Sequence, residues 1–129
     1  MVNSILEFFI CNHCGNIATL IQNKNTPLVC CGEQMAELKP NTTDASTEKH
    51  LPAIDISGDN ISIQIGSIPH PMEDAHHITF MYVETKQGGQ YKYLSSGDDP
   101  KNAFCLTNDK VIAVYAYCNL HGLWKTAAE

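Results

Sequence analysis

Apolar and polar residues alternate most regularly in the second half of the chain. Ile61, Ile63 and Ile65 interleave with Ser62 and Gln64, the two-residue period of a strand with one buried face. Residues 77–84 and 90–94 flank Gly88-Gly89 and predict a hairpin turning on that pair. Residues 110–118, rich in Val, Ile and Tyr, predict a further strand. Pro52, Pro69, Pro71 and Pro100 punctuate this region and argue against long helices. Short strands separated by turn signals predict an antiparallel, immunoglobulin-like β-sandwich or barrel over residues 40–129. Ahead of it, an apolar run at 5–10 leads into a cysteine-rich segment, residues 1–39, which predicts a separate small module. Residues 40–47 are polar and rich in turn formers, so they read as a linker.

Size and charge narrow the picture. A chain of 129 residues has room for one ordinary core, or for a metal-stapled module beside a compact domain. Acidic residues outnumber basic ones, with a net charge of -6, and this argues against a nucleic-acid binder. No stretch is apolar for long enough to span a bilayer, so no membrane partner is expected. The first residues lack the basic start of a secretory signal, so a cytoplasmic location is expected. In that setting the six cysteines point to metal rather than to disulfides. A bridge between adjacent Cys30 and Cys31 is further disfavoured by disulfide geometry.

The candidate chemistry falls into two groups. Cys11-x-x-Cys14 and the adjacent pair Cys30-Cys31 offer four thiolates, enough to enclose one tetrahedral metal. Gly15 and Gly32, each just after a cysteine, permit tight turns that aim backbone amides at sulfur. Spacing alone leaves iron and zinc both open. Neighbouring residues cannot reproduce the geometry of a Cys-x-x-Cys pair, so one angle at the metal is expected to depart from tetrahedral. His13, between two of the ligands, reads as a solvated side chain.

The second group holds His50, His70, His76, Cys118 and His121, the last two in a Cys-x-x-His motif. A lone histidine is usually a surface or hydrogen-bonded residue. Five candidate ligands on three segments of one domain are another matter. Zinc saturates at four ligands, whereas four imidazoles and a thiolate suit iron and leave one octahedral position open. His77, directly after His76, would point to the opposite face of a strand. Cys105 belongs to neither motif and reads as a buried thiol, and Trp124 reads as packing.

The segments Phe9-Ile10-Cys11-Asn12-His13-Cys14-Gly15-Asn16 and Val29-Cys30-Cys31-Gly32-Glu33-Gln34-Met35 resemble the desulforedoxin module, which implies iron at the four-cysteine group. The second group resembles the catalytic domain of superoxide reductase. Taken together, from about Phe8 to Lys125 and including the Asn-Thr-x-Asp-Ala-Ser pattern at 41–46, the chain resembles the two-iron desulfoferrodoxin family. That resemblance implies His50, His70, His76 and His121 as equatorial ligands and Cys118 as the axial thiolate. Glu48 and Lys49 match the family's motif pair beside the open position, with Glu48 as an alternative sixth ligand. It further implies reduction of superoxide to hydrogen peroxide, a small electron-donor protein such as rubredoxin, and a homodimer. An electron carrier or redox sensor with closed coordination, a zinc-stapled binding module and superoxide dismutation are the competing readings. Anion binding at the iron, colour, and oxygen as a product respectively distinguish them.

Overall fold

In the computed structural model, which describes residues 5–128, the chain divides after Lys39 into two units with different kinds of interior. In the first, β1 (Phe8–Ile10) pairs antiparallel with both β2 (Ile17–Thr19) and β5 (Ala36–Leu38). A small hairpin, β3 (Val29–Cys30) with β4 (Glu33–Gln34), carries the second cysteine pair. Among its described residues only Phe8 and Cys11 are buried. So little apolar burial cannot hold a fold by itself, and the sulfur cluster must supply the rest.

The second unit is a sandwich. After one helical turn, α1 (Thr47–His50), come β6 (Pro52–Ser57), β7 (Asn60–Ile65), β8 (Ile78–Thr85), β9 (Gly88–Tyr93), β10 (Lys101–Cys105), β11 (Val111–Cys118) and β12 (Gly122–Ala127). They form two antiparallel sheets, in the orders β10-β7-β6 and β12-β11-β8-β9. The alternating isoleucines of β7 point inward as predicted. With Ile78, Met81 and Val83 of β8 and Val114, Ala116 and Cys118 of β11 they form the core, each no more than 2% exposed. Full burial of such an aliphatic chain contributes about 1.5–3 kcal/mol. The core therefore ends, at one end of the sandwich, on the Cys118 sulfur.

Three expectations need correction. The hairpin between β8 and β9 turns on Lys86-Gln87, while Gly88 and Gly89 pair with Thr85 and Glu84 inside the sheet. A Cβ at position 89 would fall 2.5 Å from the Tyr82 ring, so glycine is there for close approach rather than for the turn. Cys105 is exposed, not buried, because Phe104 beside it faces the core and alternation turns the thiol outward. Residues 40–47 are not a loose linker. Asn41, at φ 63°, donates from its backbone N–H to Leu123 O (3.0 Å) and from Nδ2 to Lys125 O (3.0 Å), and accepts from Lys125 N–H at Oδ1 (2.8 Å). The segment is thus a strap fastened to β12.

Candidate metal centres

The four thiols of the first unit converge, with all four sulfurs within 4.8 Å of one another. Cys14 Sγ lies 3.6 Å from Cys30 Sγ, and Cys30 Sγ lies 4.0 Å from Cys31 Sγ. A tetrahedral site with bonds of about 2.3 Å has sulfur–sulfur edges of about 3.8 Å, so the pocket has the right size for one metal. The adjacent cysteines reach the same side because Cys31 adopts φ 54° and Gly32 φ 74°, which reverses the alternation of an extended chain. Backbone strain of this kind costs about 1–3 kcal/mol and persists where surrounding contacts over-determine it. Gly15, at φ 86°, closes the first turn by donating to Cys11 O (2.8 Å), and Asn16 N–H points at Cys14 Sγ (3.5 Å).

The proton affinities of these thiols diverge. Cys11 is lowered to about 6, chiefly by the Cys14 backbone N–H and further by that of His13. Cys30 is raised to about 12, chiefly by its hydrogen bond with Cys11 and then by Cys14, and Cys31 is also raised. The Cys11 thiolate forms readily, while Cys30 and Cys31 hold their protons. Only a cation at the centre lets all four ionise together. His13 is exposed, as expected, and pairs with the equally exposed Glu33.

In the second unit four imidazoles form a ring. Centroids are 4.6 Å apart for His50–His70, 4.7 Å for His70–His76, 5.0 Å for His76–His121 and 4.9 Å for His121–His50. The diagonal His50–His76 is longer, 6.4 Å, and each adjacent pair meets nearly edge-on, at 74–88°. This is a slightly folded square. His50, His76, Cys118 and His121 place one donor atom each within 4.8 Å of all the others, and His70 completes the ring at the corner opposite His121.

The hydrogen bonds fix which nitrogens face inward. His50 Nδ1 donates to Ser46 O (2.6 Å) and His70 Nδ1 to Pro71 O (2.7 Å). A carbonyl only accepts, so each Nδ1 carries the proton and each Nε2 keeps its lone pair. His50 Nε2 faces His121 Nδ1 at 3.1 Å, and His121 Nδ1 lies 3.8 Å from Cys118 Sγ. Nε2 of His70 and of His76 are buried without any hydrogen-bond partner. Leaving such a group unpaired costs about 1–3 kcal/mol, a cost that a Lewis acid in the ring removes. Cys118 approaches from the core, fully buried at the end of β11, where the β8–β11 register shifts between Tyr117 and Cys118. Burial raises its proton affinity, opposed by the backbone N–H groups of Leu120 and His121. Imidazoles and a thiolate select a transition metal over magnesium or calcium, and both groups fit iron.

Other residues are placed around this ring. Glu48 and Lys49 lie in α1, both exposed, and Ser46 Oγ donates to Glu48 Oε2 (2.5 Å) and holds that carboxyl below its usual range. Burial chiefly lowers the proton affinity of His50 and His76, and the neighbouring imidazoles and, last, the Lys49 ammonium add to it. His77 is turned away from the ring, with Nδ1 on Glu73 O (3.0 Å). Trp124 is more than filler. It stacks on His50 (4.9 Å, 25°) and donates its indole N–H to His121 O (3.1 Å). Sequence reasoning missed Gly66, at φ 84°, where a Cβ would fall 2.7 Å from Lys49 O, 2.8 Å from Glu48 O and closer still to Ile68 O. It also missed Asn119, although an asparagine inside a ligand loop is a common means of tying backbone to backbone.

Two converging donor sets, one all-thiol and one of imidazoles with a single thiol, on a small unit and a β-sandwich, define a two-centre non-haem metal protein. The desulfoferrodoxin N-terminal-domain model matches residues 4–38 and the desulfoferrodoxin model matches residues 42–127. The chain belongs to the desulfoferrodoxin family, and its two groups fit that family's two iron sites. Desulfoferrodoxin from Nitratidesulfovibrio vulgaris is 41% identical over 95% of this chain and 96% of its own length. That from Syntrophotalea carbinolica is 40% identical over 94% and 95%. The superoxide reductase of Treponema pallidum has the same fold, with a TM-score of 0.79 and 31% identity, covering 94% of this chain and 98% of that one.

A pH dependence follows from the ring. Burial is the chief reason that His50, His70 and His76 sit below the ordinary 6.5, with His70 lowered to about 4. Unfolding restores the ordinary value, so between about 6.5 and about 4 the unfolded chain binds more protons. Stability present above that window is lost as pH falls through it. Denaturant midpoints of metal-free protein should fall between about pH 7 and pH 4.5, and less steeply for His70→Gln. Identical slopes for the two proteins would show that His70 is not the buried neutral imidazole described.

Proposed function

We propose that this chain reduces superoxide to hydrogen peroxide, one electron at a time, at an iron held by His50, His70, His76, His121 and Cys118. Residues 1–39 form the desulforedoxin-like iron module, with Cys11, Cys14, Cys30 and Cys31 as ligands, and residues 40–129 form the catalytic domain. The observation that carries the reading is the square of four imidazoles, with two bare buried nitrogens and a thiol reaching it from the core. An iron held by these five donors would keep one octahedral position for substrate. Ferrous iron there would supply the electron, and superoxide with one electron and two protons becomes hydrogen peroxide.

The chain's own residues supply the rest. Cys118 would serve as a thiolate once a metal is bound, since burial alone raises its proton affinity and the amides of Leu120 and His121 only oppose that rise. That thiolate would donate electron density to the iron, a lever that haem proteins also use. A protein of charge -6 repels an anion at long range, so local positive charge must draw it in. A ferrous centre with one thiolate and neutral imidazoles keeps one positive charge, and Lys49 adds a second. Glu48, held by Ser46 on the same turn, would be the alternative sixth ligand of an iron at this centre. Electrons come from a small redox protein such as rubredoxin, and the chain acts as a homodimer in the cytoplasm. No helix among the described residues is long and apolar enough to cross a membrane.

Cys118→Ser should lower the superoxide reduction rate by about 100-fold or more, since even partners of metal ligands are worth 10–100-fold. Pulse radiolysis measures this directly, and an unchanged rate would remove the axial thiolate from the mechanism. Lys49→Ala should slow the second-order step about tenfold and flatten its dependence on ionic strength. A variant with the parent's rate and salt response would show that Lys49 does not steer.

A further inference from the structure

The four imidazoles are not held in the same way. His50 and His70 each have a carbonyl on Nδ1 that sets the ring, and His121 sits on the short loop that also carries Cys118. His76 has no such support. Among the described residues no hydrogen bond holds its ring, and its Nε2 is buried and unpartnered. It also comes from a different segment, the turn before β8, where Glu73 and His76 exchange backbone bonds of 2.9 and 3.1 Å.

What ties this turn to the rest of the centre is Asn119. Its Oδ1 accepts the His77 backbone N–H (2.9 Å), its Nδ2 donates to Ala75 O (3.0 Å), and its own backbone N–H donates to His77 O (3.2 Å). The three bonds bracket His76 on both sides. They join it to the loop that begins at Cys118 and ends at His121. A side-chain amide suits this task because it offers one acceptor and two donors on a short, stiff stem.

We infer that Asn119 is the positioning residue for His76, clamping the Ala75–His77 backbone to the Cys118–His121 loop so that the fourth imidazole meets the metal. The inference rests on reading the imidazole–thiol group as an iron site. It concerns how that site is assembled rather than what it catalyses. A misplaced His76 would weaken iron binding and change the ligand field at this centre, while the four-cysteine centre in the same chain stays as it was.

The test compares full-length protein with Asn119→Ala and Asn119→Asp, each loaded with iron. Iron loss from each centre to a chelator is followed together with the visible spectrum of the oxidised protein. Asn119→Ala should hold the second iron about 10–100-fold more weakly and show a shifted thiolate-to-iron band, with the four-cysteine band unchanged. Asn119→Asp keeps the acceptor for His77 N–H but not the donor to Ala75 O, so it should fall between the two. Should the alanine variant fail to accumulate, the aspartate variant carries the comparison. Parent-like affinity and band position in the variants would overturn the inference, as would equal weakening of both centres, which marks a general loss of fold. Parent protein that binds no iron at its second centre would instead overturn the underlying reading of the site.

Discussion

Buried imidazole nitrogens with no proton donor are the constraint on which the second unit depends. His50 and His70 have their Nδ1 protons committed to carbonyls, so their lone pairs must face inward, and nothing among the described residues answers those of His70 and His76. The remaining architecture brings such groups together and keeps them apart from water. The sandwich core ends on Cys118, the strap from Asn41 delivers His50, and the turns before β8 deliver His70 and His76. A cation then satisfies in one step what no hydrogen bond can. The first unit obeys the same logic with sulfur, since four neighbouring thiols cannot all ionise without a positive charge between them.

Charge explains why one protein needs two ligand chemistries. Four thiolates around a ferrous ion leave a net negative centre, unfit to receive an anion. Four neutral imidazoles and one thiolate leave a positive one, and Lys49 adds to it within an acidic chain. The single thiol of the second centre is buried and the Glu48–Lys49 turn is exposed, so the two occupy different environments.

Much of this was legible in the residues, for identifiable reasons. The isoleucines of β7 alternate because one face is buried, and Cys-x-x-Cys and Cys-x-x-His spacings are fixed by the reach of a loop around one ion. What could not be read depends on contacts between distant segments. Gly88-Gly89 resembles a turn, yet the need at position 89 is space for the Tyr82 ring from the neighbouring strand. Residues 40–47 look like a linker because turn formers and cross-chain fasteners are the same residue types. Only the fold reveals that Asn41 bonds to Leu123 and Lys125. Cys105 has the composition of a core residue but the parity of an outward one, set by Phe104 beside it. Trp124 and Asn119 bond to backbone groups at and beside the candidate ligands, which no spacing rule encodes.

The most direct test of the account is metal analysis with visible absorption on intact protein, before and after mild oxidation and then with a small anion such as azide. Two irons per chain are expected, with one band from the four-cysteine centre and a second that appears on oxidation and shifts when the anion binds. A chain that carries iron at the second centre but shows no new band on oxidation and no response to anion would contradict an axial Cys118 and an open coordination position. Zinc at that centre in protein grown and purified with iron in excess would contradict the redox chemistry altogether.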